Sequence, residues 1–415
     1  MDGGNSYLAK NRNSKFFYGY IIILVTFAIS VVCGGVWVIL GIFFEPMLTE
    51  FGWTRVVLSG VYSLWIFLLT LFGIGVGRLT DKFGPRSVVT ACSLFLGLGF
   101  FLMSRISAIW QLYLIYGVIL GIGMSGLWIP VIATVARWFA KRRGMIIGIV
   151  LSGVSVGMII VPPLATRLII TYGWRTSYIA IGIVAMIVAA LAAQFMRRDP
   201  AQVGQLLDGG NELKAESLDL QTGDLSLREA VHTRQFWMLC GIFGCLWFST
   251  DAIFIHIVIH VIDLGIPVAS AANILAIIGG ASIAGRLVIG SIADRIGHRP
   301  ALLMGFTLLI GSFLWLLEAK ELWALYLFAV IFGFGFSGLG VLESPLIAKL
   351  FGLASLGIIL GSIEFVSMGF GVISPILAGH IFDITGSYQL AFLICATISI
   401  IGLILSLLLR PTSGR

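Results

Sequence analysis

The sequence predicts an all-α membrane protein with twelve transmembrane helices in two pseudo-symmetric six-helix halves. Three observations lead to this fold class: the composition, the spacing of long apolar runs, and an internal repeat. Of the 415 residues, 59% are hydrophobic and only 11% are charged, and the mean hydropathy is +1.06. These values lie far outside the range of a soluble globular domain, so we expect an integral membrane protein.

Twelve apolar segments approach the length of about 20 residues that a helix needs to cross a bilayer. They cover residues 16–44, 56–78, 87–104, 109–136, 145–170, 175–196, 236–262, 269–293, 300–317, 323–347, 354–382 and 388–409. The first segment follows a polar stretch and is too long for the apolar core of a signal peptide, so we expect it to stay in the membrane. An even number of spans places both termini on one face.

Lysines and arginines are unevenly distributed over the two predicted faces. Twenty fall on the face of the termini, and five fall on the other face: Arg55, Arg105, Arg167, Arg175 and Lys320. The positive-inside rule therefore predicts cytoplasmic termini in an inner or plasma membrane. This topology, with contacts to anionic lipid headgroups, explains the formal charge of +7, and no nucleic acid partner is expected.

An internal repeat relates the two halves. The loops GRLTDKFGPR (77–86) and GSIADRIGHR (290–299) share glycine, acid, base, glycine and arginine at an offset of 213 residues. The same offset relates five further pairs: Gly52 and Gly265, Gly144 and Gly357, Gly148 and Gly361, Pro162 and Pro375, and Gly173 and Gly386. The repeat predicts one bundle at 1–196, a cytoplasmic linker at 197–234 and a second bundle at 235–415.

The linker is polar until Ser226 and Glu229, which have the spacing of a capping box ahead of the seventh helix. Parallel six-helix halves around an axis normal to the membrane are a transporter architecture, with the substrate site near the midplane between them. We therefore expect the functional residues to lie where the two halves meet.

The two repeated loops form a candidate conformational motif. Glycine allows a sharp turn and a close helix approach, while an aspartate accepts hydrogen bonds from a neighbouring helix end or arginine. A single copy would be read equally well as an ordinary charged turn, but two copies at one offset favour a shared role. The motif residues are Gly77, Asp81, Lys82, Gly84 and Arg86 in the first copy and Gly290, Asp294, Arg295, Gly297 and Arg299 in the second.

Arg286 lies inside the apolar run 269–293. A guanidinium does not readily lose its proton, so at this depth it must meet water, an acid or an anion. Its planar fork suits bidentate binding of a carboxylate. The alternative is that Arg286 only pairs with an acid inside the C-terminal half.

The paired loops resemble the signature of the major facilitator superfamily, and the resemblance covers nearly the whole chain. Further stretches are similar to its oxalate/formate antiporter and monocarboxylate transporter branch: EFGWTR (50–55), ARWFAKRRGMIIGIVLSGVSVG (136–157), YGWRTSY (172–178), TRQFWML (233–239) and GRLVIGSIADRIGHR (285–299). The resemblance implies that the arginine of the eighth helix binds a substrate carboxylate, and Arg286 occupies that position.

The chain departs from the branch at two positions. The resemblance to oxalate carriers implies a lysine in the eleventh helix, where this chain has Glu364 and no cation, so one carboxylate is expected on the substrate. The resemblance to proton-linked carriers implies an aspartate one turn before the arginine, where this chain has Ser282. Any coupled proton must therefore bind elsewhere.

Four acids lie in or beside predicted spans and are candidates for proton coupling: Asp251, Glu343, Glu364 and Asp263. A buried carboxylate without a cation is a natural proton carrier, although a structural ion pair or a water-lined position would also explain each one. Asp263 falls at a helix end, where an outward gate is the alternative role. His256 and His260 lie one turn apart near the same end and are interpreted as hydrogen-bonded interfacial residues, with proton sensing as the alternative.

Trp37, Ser125 and Trp128 are candidates for the uncharged wall of a cavity facing Arg286, with aromatic packing as the alternative for the tryptophans. The five cysteines all fall inside predicted spans without metal-ligand spacing, so we expect no metal site. No catalytic residues and no cofactor are predicted, because the chain lacks a phosphate loop and a nucleophile elbow.

Together these patterns predict a secondary transporter, not an enzyme, that moves small monocarboxylates such as lactate or pyruvate with a proton by alternating access. The expected partners are a monocarboxylate anion, a proton and membrane lipid, and the carrier is expected to act as a monomer. Two alternatives stay open, a carboxylate exchanger of the oxalate/formate type and a membrane anion sensor.

Overall fold

The protein is all-helical in the computed structural model, which describes residues 17–139, 143–205, 225–352 and 356–409. Eleven helices within these ranges are long and apolar enough to cross a membrane. One of them, Arg143–Gln194, contains two spans because Gly173 interrupts the helical dihedrals with φ 78° and ψ 159°. The number of spans is therefore twelve, as the sequence predicts.

The membrane helices are numbered α1 to α12 in chain order. They are α1 (Gly19–Phe51), α2 (Arg55–Phe83), α3 (Pro85–Met103), α4 (109–138), α5 (143–172), α6 (174–194), α7 (Arg234–Asp263), α8 (Val268–Ile296), α9 (His298–Glu318), α10 (322–351), α11 (Leu356–Thr385) and α12 (Gln389–Leu408). A π-helical turn, Tyr113–Ile119, interrupts α4, and a break at Leu342 divides α10.

The helix bounds agree with the apolar segments to within a few residues, except at the end of α1. The apolar run predicts an end at 44, but the helix continues to Phe51. It ends there because Gly52 adopts a left-handed φ of 63° and its N–H bonds the carbonyl of Leu48. Hydropathy marks where a helix leaves the lipid, whereas the cap residue decides where it stops.

Glycines with positive φ repeat at the offset seen in the sequence. The three pairs are Gly52 and Gly265 (63° and 83°), Gly84 and Gly297 (81° and 98°), and Gly173 and Gly386 (78° and 69°). Side chains rarely adopt this conformation, so glycine is required at each of these turns. The repeat is thus a repeat of backbone geometry as well as of sequence letters.

Packing inside the two halves is matched. In the first half α2 and α3 both pack on α4, and in the second half α8 and α9 both pack on α10. An arginine ties the third helix to the sixth in each half: Arg86 donates to the Gln194 side chain at 3.0 Å, and Arg299 donates to the Leu407 carbonyl. Both pairs are 108 residues apart, so the two halves share one internal plan.

Three helix pairs join the halves: α1 with α7, α2 with α11, and α5 with α8. We call this contact region the seam. The motif face is the end of the bundle that carries the loops 81–86 and 294–299. The far face is the opposite end, which carries the connections after α1, α7 and α11.

The predicted capping box is present but belongs to a separate short helix, Leu227–Val231. The Ser226 N–H donates to the Glu229 carboxylate at 2.8 Å, and the Glu229 N–H donates to the Ser226 hydroxyl. The hydrogen bonds from Ser226 lower the pKa of Glu229. Helix α7 itself begins after Thr233, whose hydroxyl accepts from the Phe236 N–H.

Candidate functional site

Arg286 lies at the seam with no acidic partner. Its Nη1 donates to the backbone carbonyl of Leu151 on α5 at 2.7 Å, so the bond joins the two halves. In the parts of the chain that the structure describes, no carboxylate oxygen lies within 4.0 Å of the guanidinium. The alternative of an acid partner within the C-terminal half therefore does not hold for these residues. The guanidinium has further N–H donors to offer a ligand.

Serines line the same helix pair on the far-face side of Arg286. The hydroxyls of Ser155 on α5 and Ser282 on α8 lie 2.6 Å apart, and both residues are fully buried. Ser337 on α10 donates to the Ser282 carbonyl at 2.8 Å. Ser282, which stands where the resemblance implies an aspartate, thus makes an uncharged bond across the seam.

Four tryptophans from both halves form an indole cluster around Trp37 on α1. The Trp37 ring centroid lies 5.4 Å from Trp65 on α2, 6.1 Å from Trp128 on α4 and 6.2 Å from Trp247 on α7. The sequence prediction named Trp37 and Trp128 and missed Trp65 and Trp247. Tryptophans are common in apolar runs, so no spacing signal distinguished these two.

Ser125 on α4 is buried, and its hydroxyl donates to the carbonyl of Ile122 at 2.8 Å in the same helix. This bond uses the hydroxyl's donor but leaves acceptor capacity on the oxygen. Its role in a substrate cavity stays a prediction.

Asp251 on α7 is 1% exposed. Its Oδ1 accepts a hydrogen bond of 3.3 Å from the Tyr62 hydroxyl on α2, across the seam. Its Oδ2 has no partner among the described residues. That oxygen faces Gly371 on α11, where a Cβ atom would collide with it. The carboxylate is therefore wedged between helices of opposite halves.

Glu343 and Glu364 are neighbours in the C-terminal half, close enough for the two carboxylates to repel each other. Glu343 begins the second part of α10 and is buried, and its Oε1 has no partner in the described part of the chain. Glu364 on α11 is half-buried. Neither carboxylate lies within 4.0 Å of a described cation.

A polar network that we call the far-face lock closes the seam on the far-face side of these acids. It consists of Arg55 and Ser59 from the first half and His256, Asp263, Asp383 and Tyr388 from the second half. Arg55 is the centre: its guanidinium binds Asp263 at 2.8 and 2.9 Å and donates to the Tyr388 hydroxyl at 2.7 Å. The guanidinium also stacks 3.5 Å above the Phe382 ring.

Asp383 caps the first turn of α2 from the opposite half. Its two oxygens accept from the backbone N–H groups of Arg55 and Val56 at 3.2 and 3.0 Å. A helix N-terminus has unpaired N–H groups and a partial positive charge, so a carboxylate is stabilising there. The cap adds a second charged contact across the same end of the seam.

His256 is the buried part of the far-face lock. Its Nε2 lies 2.9 Å from the Pro375 carbonyl and 3.0 Å from the Ser59 hydroxyl, and its Nδ1 lies 2.9 Å from the Tyr388 hydroxyl. A carbonyl only accepts, so Nε2 carries the proton, and in the neutral ring Nδ1 accepts from Tyr388. Both ring nitrogens are satisfied, as the sequence interpretation expects.

Asp263 is the last residue of α7, as the sequence predicts, and it is paired with Arg55. The sequence pattern predicts no role for Arg55, Asp383 or Tyr388. One sequence feature could have drawn attention to Arg55: it is one of only five lysines and arginines on its predicted face.

The two motif loops differ in their ion pairs. In the first, Asp81 binds Arg137 of α4 at 2.5 Å, and its carbonyl accepts from Arg198 at 2.7 Å. In the second, Asp294 has no cation within 4.0 Å in the described ranges. The prediction that an arginine contacts the loop aspartate therefore holds for Asp81 and not, within these residues, for Asp294.

The packing does not require glycine at Gly77 or Gly290, because a Cβ atom there would make only ordinary van der Waals contacts. A Cβ atom on Gly77 would lie 3.9 Å from Ile129 of α4, and one on Gly290 would lie 3.7 Å from Val341 of α10. Gly84 and Gly297 make the turns with positive φ. The Lys82 ammonium lies 5.2 Å from the Phe83 ring, and Arg295 is exposed. The cysteines are all free and buried.

A family model described as Major Facilitator Superfamily matches residues 25–317 and 261–415. The chain belongs to this superfamily. Its fold agrees with a solved major facilitator structure, a bacterial homolog of the human lysosomal transporter Spinster in an inward-facing and unoccupied conformation. The TM-score is 0.73 at 14% identity, covering 95% of this chain and 97% of that one.

Sequence relatives of this major facilitator protein are named transporters. Rat monocarboxylate transporter 13 is 26% identical over 93% of this chain and 87% of its own length. Human monocarboxylate transporter 2 is 26% identical over 86% and 78%. The uncharacterised transporter YhjX of Escherichia coli strain K12 is 27% identical over 71% of each chain. The protein is an integral membrane transporter and not an enzyme.

Proposed function

We propose that this transporter carries small monocarboxylates together with a proton by alternating access, and that Arg286 binds the substrate carboxylate. The observation that carries the proposal is a fixed positive charge at the seam, held by one backbone carbonyl. A carboxylate would bind the free side of the guanidinium and neutralise it. Neutralisation lowers the cost of closing a dry site around the charge.

One cation favours one carboxylate on the substrate. The described part of α11 offers Glu364 where a second cation would be needed for a dicarboxylate. The indole cluster supplies an apolar wall at the seam, which suits a short hydrocarbon chain. The names of the monocarboxylate transporter relatives support the same substrate class.

Proton coupling is supported by acids that lack cations. Among the described residues, Asp251 and Glu343 each keep a carboxylate oxygen without a partner, and Glu343 and Glu364 repel each other when both are charged. A proton bound by one of these acids would make the movement of a monocarboxylate electroneutral, so a pH gradient could drive uptake. Asp263 is already paired with Arg55, and we assign it to the far-face lock instead.

The test uses proteoliposomes and labelled lactate, pyruvate, acetate, formate and oxalate. We expect a monocarboxylate to accumulate under an inward proton gradient, and Arg286→Ala to lose this uptake. Arg105→Ala is the control, because Arg105 is an exposed arginine whose side chain lies near Phe101, away from the seam. Wild-type uptake of the preferred acid by Arg286→Ala would refute the carboxylate role.

Two outcomes would support other functions. Uptake that requires a carboxylate loaded inside the vesicles, whatever the proton gradient, would identify an exchanger. Absence of counterflow for every acid in the panel would favour an anion sensor. We also propose cytoplasmic termini, an inner or plasma membrane location and a monomeric carrier.

A further inference from the structure

The carboxylate of Asp251 lies where the two halves meet. Tyr62 on α2 of the first half donates to it at 3.3 Å, and Gly371 on α11 of the second half supports its other oxygen. Any movement that separates α2 from α7 and α11 must break the bond to Tyr62. The same movement would expose the carboxylate to water.

Burial of this carboxylate is costly while it is charged. Asp251 is 1% exposed, Oδ2 has no partner among the described residues, and no described cation lies within 4.0 Å. A charged group in such a place lacks both counter-charge and solvation, whereas a neutral carboxyl group needs only hydrogen bonds. The closed seam therefore tolerates the protonated form better than the charged form.

The groups packed around Asp251 are almost all uncharged. Tyr62 of α2 faces the carboxylate, and Tyr116 of α4 lies behind Tyr62. On the side of α11 the carboxylate meets Gly371. Trp37 of α1 contacts the Tyr62 hydroxyl, and Trp247 lies one turn before Asp251 on α7. Phenols and indoles carry no charge near neutral pH.

Charged and titratable groups lie further along the helices that meet here. The ion pair of Arg55 with Asp263 is about 18 Å towards the far face, counting α7 at 1.5 Å per residue from Asp251. His256 lies between them and has both nitrogens bonded in the far-face lock. Glu364 is about 10 Å towards the motif face, counted from Gly371 along α11.

We propose that Asp251 is the residue through which proton binding closes the far face. With the proton bound, the carboxyl group fits the dry seam between α2, α7 and α11, and the far-face lock closes above it. Without the proton, the charged carboxylate favours the state in which the seam opens and water reaches it. This proposal rests on the alternating-access function and identifies the coupled acid.

The coupling follows from linkage. A ligand that binds one of two states more tightly shifts the equilibrium towards that state. The proton is such a ligand here, because only the closed state buries the carboxylate. Protonation from the far side would therefore precede closure, and a substrate on Arg286 would be enclosed with its proton already in place.

The test measures the far-face opening without substrate. Spin labels at Thr54→Cys and Ile384→Cys report the distance between the start of α2 and the end of α11, since both positions are exposed. The five native cysteines are buried and are replaced by serine or alanine. In this labelled protein, with Asp251 retained, we expect the distance distribution to shift from short to long as pH rises.

Asp251→Asn mimics the protonated group, so we expect short distances at every pH. Glu318→Gln is the control, because Glu318 is an exposed acid at the end of α9, and this variant should keep the pH response. Asp251→Asn with an unchanged pH response, or with long distances throughout, would overturn the proposal.

A second variant covers the case in which Asp251→Asn does not fold. Tyr62→Phe removes the hydrogen bond to the carboxylate and should move the midpoint of the pH response. An unchanged midpoint would also overturn the proposal. Arg286→Ala should keep the pH response, so a failure of the carboxylate proposal and a failure of this one give different results.

Discussion

The far-face lock and the groups nearer the middle of the membrane are both polar, but of these described residues only those of the lock pair opposite charges across the seam. Arg55 binds Asp263 and Tyr388, and His256 has a partner for each ring nitrogen. In contrast, within the part of the chain that the structure describes, Arg286 binds one backbone carbonyl and Asp251 keeps an unpartnered oxygen. Paired groups stabilise one arrangement of the halves, whereas unpaired groups gain most from a ligand or a proton.

The largest expected effect comes from Asp251→Asn. Because this variant can neither release a proton nor readily open the far face, we expect it to lose both accumulation driven by a proton gradient and exchange of labelled for unlabelled substrate. Uptake and counterflow in the same vesicles measure the two activities. Exchange at the wild-type rate in a folded variant would mean that a neutral side chain at this position does not hold the far face closed.

Breaking the lock should have the next largest effect. Arg55→Ala removes the ion pair and the contact with Tyr388, and a partly buried pair of this kind is worth about 2 kcal/mol, or roughly 30-fold in the ratio of closed to open far face. The spin-label distance between positions 54 and 384 measures that ratio.

Arg175→Ala is the matched control for Arg55→Ala. Arg175 binds Glu50 at the same face, but both residues belong to the first half. We expect its removal to leave the distance unchanged. An equal shift in both variants would show that the arginines act on local folding and not on the seam.

A smaller effect is expected for Arg286→Lys. Lysine keeps the charge but loses the planar fork, so we expect transport affinity to fall by about tenfold, or about 1.4 kcal/mol. The concentration dependence of initial uptake measures this change. An affinity equal to that of the wild type would indicate that the substrate is held by charge alone and not by two parallel hydrogen bonds.

The smallest effect concerns the two motif loops. Asp81 pairs with Arg137 in an exposed position, and such pairs contribute up to about 1 kcal/mol. Asp81→Asn should therefore slow transport by at most about fivefold, with a dependence on salt. Asp294→Asn, without that ion pair in the described residues, should have less effect. Initial rates at low and high salt test this order, and a larger effect of Asp294→Asn would contradict it.

The fold was predictable because its determinants are local. A run of apolar residues predicts a span wherever it occurs, and the glycines at Gly84 and Gly297 reveal the repeat because the same turn needs the same residue twice. The predicted end of α1 was wrong because the apolar run stops at residue 44, whereas the helix continues to its cap at Gly52.

The site was predictable only in part. Arg286 was predictable because a single charged residue inside an apolar run stands out without reference to any other residue. The lock was missed because Arg55 meets Tyr388 across 333 residues and Asp383 across 328 residues. No spacing along the chain links these residues, and each one alone resembles an ordinary residue at a helix end. Such pairings arise only when the two halves are assembled.

The braces formed by Arg86 with Gln194 and by Arg299 with Leu407 bear on how force travels through the carrier. Each brace ties the third helix of a half to its sixth, so neither outer helix is free to slide when the inner helices tilt. We expect a half braced in this way to move largely as one body about the seam. An anion bound by Arg286 at the seam would then displace both ends of the half together.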